Sequence, residues 1–419
     1  MKKLPVKAMI VVLFVALALV VAPAYAQKSN PPISPQAQEE KTRLLNEYQK
    51  VLENEIQHGQ TAIDPEDGRT ILTGASAEKM DMLWDETVKK IEAAIARPAA
   101  ERAPIMDMIM DFDGEQPLYV MRAGFPYNPS ISTEKYKTSE YIYTIDIATS
   151  KILEIMPVDS TRFRNTDNGK HTYSQGELEA IAQSYVQTLN SSVDVKTLQP
   201  AFDDKEDRYF FFRWEDISKN LPGGMKPFIQ VSLSNQGELL NFVDTLTAAT
   251  TQEQITLQQY GILPSPALAS FQEVYANGGG YWSWINNGAY ASQTNYAGYC
   301  YLAGWCSPTN FYWSYTDATA SVPYIRGQWD VTPASQYIYL EAFIPSTNAT
   351  AYARYYASYN NGANYQEATI DQAIYYNVWA SVLGPHFNYG VVRLDNNDDI
   401  AGYKVAWDEI ILCTSDLCP

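Results

Sequence analysis

Four cysteines in two close pairs, Cys300 with Cys306 and Cys413 with Cys418, are the residues of this chain best suited to covalent chemistry. In an exported protein such pairs predict disulfides. Local pairing closes two short loops, cross pairing ties the start of the C-terminal region to its end, and both connectivities stand. Zinc is the rival, but the spacings are wider than zinc ligands usually take and no histidine accompanies either pair. Cys300 is also followed downstream by His386, Asn388 and Asp395, the chain order of a cysteine nucleophile, its base and an orienting group. Against that reading, Cys306 is close enough to pair with Cys300 in a disulfide under the oxidising conditions outside the cell. His58 and His171 stand in polar segments and no histidine pair has ligand spacing, so neither a metal nor a cofactor is expected. The serine-hydrolase elbow, the zinc-peptidase helix, the phosphate loop and the dinucleotide fingerprint are all absent. Two carboxylates across a cleft would suffice for a glycosidase, which keeps a glycan-acting enzyme as an alternative. Asp395-Asn396-Asn397-Asp398-Asp399 gathers oxygens that calcium accepts, yet it lacks the EF-hand spacing and reads as a solvated turn.

Aromatic rings are the other chemical resource. The chain holds 31 tyrosines, most of the excess after residue 270, and the stretch from Gly278 to Trp313 is dense in rings and turn residues. Trp282, Trp284, Tyr299, Trp305 and Trp313 on loops at one end of a sandwich would stack on the apolar faces of sugars, with Asn286, Asn287 and Asn295 bonding hydroxyls. Any single tryptophan among them has the competing role of filling the core.

The elements that must carry these residues are strands. Ile338, Leu340, Ala342 and Ile344 alternate with Tyr337, Tyr339, Glu341 and Phe343, a period of two. After Pro345 and Ser346-Thr347-Asn348 a second alternating run, Ala351 to Tyr359, predicts a hairpin with the first. Short runs follow at Glu367 to Asp371, Val378 to Leu383, Val391 to Leu394 and Tyr403 to Leu412, a spacing that predicts a β-sandwich.

A family resemblance rests on Trp329 before Thr332-Pro333, Tyr337-Ile338-Tyr339-Leu340, Ile344-Pro345-Ser346 and Ala351-Tyr352-Ala353-Arg354-Tyr355. It continues through Ile370-Asp371-Gln372, Trp379, Leu383-Gly384, Phe387, Val392-Arg393-Leu394 and Trp407-Asp408-Glu409-Ile410. Over roughly its last third the chain resembles the golvesin-type domain, which includes the C-terminal carbohydrate-binding-like module of xanthan lyases. The resemblance implies an all-β jelly-roll sandwich of galactose-binding-like type, exported and serving as an accessory binder.

Upstream, Lys2, Lys3 and Lys7 precede an apolar run from Ala8 to Val21, and Ala24-Tyr25-Ala26 supplies small residues for cleavage between Ala26 and Gln27. This predicts a signal peptide over residues 1–26, and hence a secreted protein without stable membrane insertion after cleavage. A flexible spacer is expected over 27–40. Apolar periodicity then predicts a helix from Leu44 to Ile56 and a second over Ser76 to Ala96, capped by Ser76 and stopped by Pro98. Two segments with the same organisation, about 76–160 and 170–246, each read as a helix followed by strands, the second helix opened by a Ser174/Glu177 capping box. The pattern makes 41–246 a helical plus α+β region and resembles the exported PepSY type of domain, which implies regulation of secreted peptidases as a further alternative. Residues 247–270 read as a linker, and 271–419 as a module sharing few core contacts with the rest.

With 419 residues the fold class is therefore multidomain: a helical and α+β, PepSY-like region followed by the sandwich. The excess of 48 acidic over 30 basic residues argues against nucleic-acid partners. A secreted, non-catalytic protein that binds a glycan or another cell-surface polymer is the expected function. Its oligomeric state is not legible in the sequence.

Overall fold

Ser34 opens the first helix, α1 (Pro35–His58), by accepting the amide of Ala37 at 3.1 Å, with Pro35 at the first helical position where no N–H is needed. The computed structural model describes residues 33–64, 68–165, 172–205, 208–221, 225–249, 273–275, 282–286, 292–295, 310–316, 325–331, 338–396 and 402–414. The expected signal peptide, with Ala26 and Gln27, lies outside them, as does nearly all of the expected linker. The spacer expected to run to Glu40 is corrected: it is already helical from Pro35, because proline at this position starts a helix rather than preventing one. Strands β1 (Thr61–Ile63) and β2 (Thr70–Leu72) pair antiparallel and lead into α2 (Gly74–Ile95). Leu44, Tyr48 and Leu52 of α1 meet Met80, Trp84 and Ile91 of α2 along the helical stripes. Ser76 is not the cap. Thr73 holds that position, while the Ser76 hydroxyl donates to Glu55 and accepts from the Gln60 amide, both at 2.8 Å.

A third helix follows Pro98 at once, α3 (Ala99–Asp113), and ends at Gly114 with φ +78°. It leads into β3 (Leu118–Phe125), β4 (Asn128–Lys137), β5 (Tyr141–Asp146) and β6 (Ile152–Pro157). The arrangement then repeats with α4 (Gln175–Leu189), β7 (Gln199–Lys205), β8 (Tyr209–Glu215), β9 (Phe228–Ser234) and β10 (Leu239–Asp244). In the first repeat the helix equivalent to α4 is thus α3, whereas α2 belongs to the helical hairpin. The eight strands form one antiparallel sheet in the order β3-β4-β5-β6-β10-β9-β8-β7. The two fourth strands meet at its centre, with Ile155 opposite Phe242 and Glu154 opposite Val243, so the repeats are related by an approximate two-fold. One face is covered by the helices: Ile105 and Ile109 of α3 and Leu178, Ala182 and Val186 of α4 pack on Tyr143, Ile155, Val231 and Phe242.

The C-terminal strands are β11 (Glu273–Tyr275), β12 (Trp282–Asn286), β13 (Ser292–Asn295), β14 (Asn310–Tyr315), β15 (Ile325–Asp330), β16 (Ile338–Ile344), β17 (Tyr352–Tyr359), β18 (Asn364–Asp371), β19 (Val378–His386), β20 (Val391–Asp395), β21 (Lys404–Trp407) and β22 (Ile410–Thr414). They form antiparallel sheets in the orders β11-β22-β16-β19, β12-β15-β20-β17-β18 and β13-β14-β21. The expected hairpin between β16 and β17 is corrected. Those strands lie in different sheets, and the turn after Pro345 carries the chain from one to the other. The true hairpin joins β17 to β18 through Asn360, Asn361 and Gly362, whose φ values of +53°, +57° and +90° suit asparagine and glycine.

The sandwich rests on the sheet face opposite α3 and α4. Phe125, Tyr127, Leu153, Met156, Phe211, Phe228 and Val243 belong to the same buried cluster as Leu340, Phe343, Ile374, Trp379 and Leu412. A single cross-strand row crosses all eight strands: Met121, Lys135, Thr144, Glu154, Val243, Gln230, Arg213 and Ala201. Its two basic residues occupy equivalent places in the two repeats and both reach into the sandwich. Lys135 Nζ pairs with Glu341 at 2.7 Å, and Arg213 donates to the carbonyl of Asn377 at 3.0 Å while stacking over Phe228. Lys205 Nζ sits among four sandwich carbonyls, those of Tyr375, Ala349, Gln372 and Pro345, at 2.6 to 3.5 Å. The expectation that few core contacts cross into the C-terminal module is therefore corrected.

The helical hairpin also leans on the sandwich. Tyr48 donates to Asn360 Oδ1 at 2.9 Å, Trp84 Nε1 to the Pro385 carbonyl at 2.8 Å, and Phe387 packs between those two rings.

Candidate functional site

Strand alternation divides the five-stranded sheet into two surfaces. Trp329, Val392, Leu394, Ala353, Tyr355 and Ala357 face the core and are all at most 2% exposed. On the other side the register builds two polar rows. The first is Gln328, Arg393, Tyr356 and Glu367, and the second is Arg326, Asp395, Arg354 and Thr369. Arg393 Nε donates to Gln328 Oε1 at 2.9 Å, and Gln328 in turn donates to Asp330 at 2.7 Å. Arg326 grips Asp395 with two hydrogen bonds, 2.6 and 3.2 Å. In each row one arginine is fixed by bonds to the next strand, so that side chain has little rotamer freedom left to lose when a ligand arrives. Burial raises the Tyr356 phenol above its ordinary value, and the charges of Glu367 and Asp395 add to this while Arg354 opposes it. It stays a neutral hydroxyl able to donate and accept.

An aromatic ledge adjoins this face. Phe311, Trp313 and Tyr315 alternate along one side of β14, passing from fully buried through half-buried to 57% exposed. Trp313 and Tyr315 meet edge to face at 5.6 Å. Lys404, paired with Tyr315 in register, holds its ammonium 4.9 Å from the Trp313 ring centre and donates to Asn348 at 3.0 Å. Asn396, the residue after Asp395, donates to the Tyr315 carbonyl at 3.2 Å and so joins the ledge to the polar rows.

Of the rings and asparagines singled out in the sequence for a sugar site, Trp313 is the one whose side chain is described, and it stands in this ledge. Trp282, Trp284 and Asn286 fall on β12, an edge strand of the same sheet, opposite Trp329, Gly327 and Ile325. Trp329 and Trp407 took the core role instead. Tyr299, Trp305, Cys300, Cys306 and Cys418 lie outside the described residues, and Cys413 is placed on β22 opposite Tyr339 in register. The row residues Gln328, Arg354, Tyr356 and Arg393 were not among the site residues expected from the sequence. Alternation alone marks Arg354, Tyr356 and Arg393 as outward-facing, but their juxtaposition depends on strand pairing.

The nucleophile-base-orienter order finds no support in the geometry of its described members. His386 packs against Tyr359 at 4.3 Å and Tyr389 at 5.8 Å, and its Nδ1 makes no hydrogen bond. Burial lowers its pKa to about 4. Asn388 donates to Asn361, and Asp395 is held by Arg326, which also gives that aspartate of the acidic run a cation already. Among the described residues no cluster of three potential metal ligands occurs. No described helix is long and apolar enough to cross a membrane.

No family model and no curated protein matches this chain. Among solved structures it is similar to a Paenibacillus xanthan lyase, at 10% identity and a TM-score of 0.26 over 52% of this chain and 25% of that one. The Bacillus megaterium YpeB C-terminal domain is similar at 12% identity and a TM-score of 0.26, over 56% of this chain and 92% of that one. A carbohydrate-binding module of the β-sandwich superfamily is similar at 8% identity and a TM-score of 0.18, over 51% of this chain and 95% of that one. The match spans about a quarter of the xanthan lyase.

Proposed function

We propose that this is an exported binding protein that holds an extended hydroxyl-rich polymer, a cell-surface glycan, on the outer face of its five-stranded sheet without catalysing its cleavage. The observation that carries the reading is the pair of prearranged polar rows beside the Trp313–Tyr315 ledge. Each row crosses four strands, about 14 Å at ordinary strand spacing, enough to follow a chain rather than a single small molecule. Guanidinium, amide and phenol groups bond hydroxyls, while the rings offer apolar faces to stack against. In this reading the sandwich is a jelly roll of the golvesin type, the repeats beneath it are PepSY-like units that support it, and residues 1–26 are removed on export.

A screen of glycans and cell-wall polymers against the exported protein tests this. Arg393→Ala, Tyr356→Ala and Tyr315→Ala should each weaken binding about tenfold, the loss of one well-made contact, with the far-ultraviolet spectrum unchanged. Full affinity in all three variants would exclude this face as the site.

A further inference from the structure

The eight-stranded sheet and the sandwich do not close completely. Between them lies a cavity of about 420 Å³, walled by apolar side chains that include Ile142, Met156, Ile370 and Leu383, with Lys137 among its polar residues. Its size and its place at a domain seam suit a binding site. Two sheet edges open onto it. β18 ends the five-stranded sheet, β19 ends the four-stranded sheet, and Thr369 and Ser381 of these strands both line the cavity.

The direction in which their main-chain groups point follows from the ladder. Gln372 N donates to Ala351 O at 3.0 Å, so the pair Tyr352 and Asp371 is one whose amides and carbonyls face away from each other. Two residues back along β18, the pair Arg354 and Thr369 is of the same kind, and the Thr369 N–H and C=O point out of the sheet edge. On β19, Phe343 N donates to Glu409 O at 2.9 Å, so its partner Trp379 turns its own main-chain groups outward. Ser381, opposite Glu341, repeats that geometry two residues on.

The flanking outward amides are already satisfied from the eight-stranded-sheet region. Asp371 N donates to Ser160 Oγ at 2.9 Å, and Trp379 N to the Tyr127 hydroxyl at 3.1 Å. Among the described residues, the outward main-chain groups of Thr369 and Ser381 have no such partner. Exposed edges of this kind are ordinarily blocked or charged, and here the blocking stops at the cavity. Lys137 is exposed on the cavity wall, and its ammonium makes no ion pair or hydrogen bond in the described structure. Its neighbour Lys135, by contrast, is fully engaged by Glu341.

The geometry points to a second binding site at this seam: an extended peptide segment adds as a strand along β18, its main chain bonding Thr369, apolar side chains entering the cavity and an acidic side chain pairing with Lys137. A peptide rather than a glycan fits, because the edge offers alternating amide and carbonyl groups at strand spacing. The site meets the proposed polymer-binding face at Thr369, whose side chain ends the second polar row while its main-chain groups point out of the edge, and it does not depend on that assignment.

The test uses the full exported chain and a panel of acetylated hexapeptides of alternating valine and threonine carrying one glutamate at each position in turn, read by calorimetry. At least one peptide should bind saturably. Binding should fall at least tenfold with Lys137→Glu, with glutamine in place of the glutamate, and with N-methylation of the peptide main chain. Thr369→Pro, which deletes the outward N–H while sparing the inward ladder, should do the same. Absence of saturable binding across the panel, or binding indifferent to Lys137→Glu and to N-methylation, would overturn the proposal.

Discussion

Glu154 is a pH-sensitive residue of the seam. Its side chain accepts from Thr144 at 2.9 Å, and its other oxygen has no partner. Burial, and then the charge of Glu341, raise its pKa from 4.5 to about 7, with Lys135 opposing the shift. Two carboxylates thus share one ammonium, and the cluster is neutral only while Glu154 keeps its proton. Between pH 4.5 and about 7 the folded chain holds a proton that the unfolded chain has lost, so stability falls as pH rises through this window and the penalty is complete above it. His386 acts in the opposite sense, since its depressed pKa favours the folded state as pH rises from about 4 toward 6.5. Glu154→Gln removes the first effect and leaves the second. The variant should be more stable than the parent at pH 8 by about 2–3 kcal/mol, with the difference shrinking toward zero at pH 4, as measured by urea unfolding at each pH. A difference independent of pH would contradict the assignment. None of this was legible beforehand. Glu154 reads as one alternating residue of a strand, and both Lys135 and Glu341 are distant in sequence.

At the scale of elements, several local signals were read correctly, whereas the Ser76 cap, the spacer to Glu40 and the pairing of β16 with β17 were not. The Ser174/Glu177 capping box is present: Glu177 accepts the Ser174 amide at 2.8 Å, and Ser174 Oγ accepts the Glu177 amide at 3.4 Å. Ser174→Ala should therefore cost about 1 kcal/mol, measurable as a lowered urea midpoint with an unchanged slope, and no change would show that the box is dispensable. The strand runs from Ile338 to Leu394 were likewise visible from their period of two, because each has one face in the core. The hairpin between β16 and β17 failed because a polar turn after Pro345 looks the same whether the chain folds back within a sheet or crosses to another. Helix α3 was not read in the sequence, because Pro98, the stop of one helix, also stands at the N-cap of the next. The polar rows share this limitation. Arg354, Tyr356, Arg393 and Gln328 come together across three strands, and register is set by packing that no single strand encodes.

At the scale of the molecule, the sandwich and the eight-stranded sheet make one body. The approximate two-fold of the repeats places Lys135 and Arg213 symmetrically beneath the sandwich, Lys205 is caged by its carbonyls, and one buried apolar cluster spans the seam. The two polar rows lie on a sheet whose inner face belongs to that shared core, so their geometry depends on the seam remaining closed. Composition gave no sign of this. The Pro- and Thr-containing stretch before residue 271 has the character of a linker, and a linker's composition does not reveal whether the domains it joins dock. The most direct test compares the full chain with residues 271–419 produced alone and oxidised. The full chain should unfold in urea in a single transition that coincides by tryptophan fluorescence and far-ultraviolet dichroism. The fragment, with Tyr339, Glu341, Phe343 and Trp379 uncovered, should lack a cooperative transition and fail to bind polymer. A fragment that unfolds cooperatively at the midpoint of the full chain and binds with the same affinity would contradict the account.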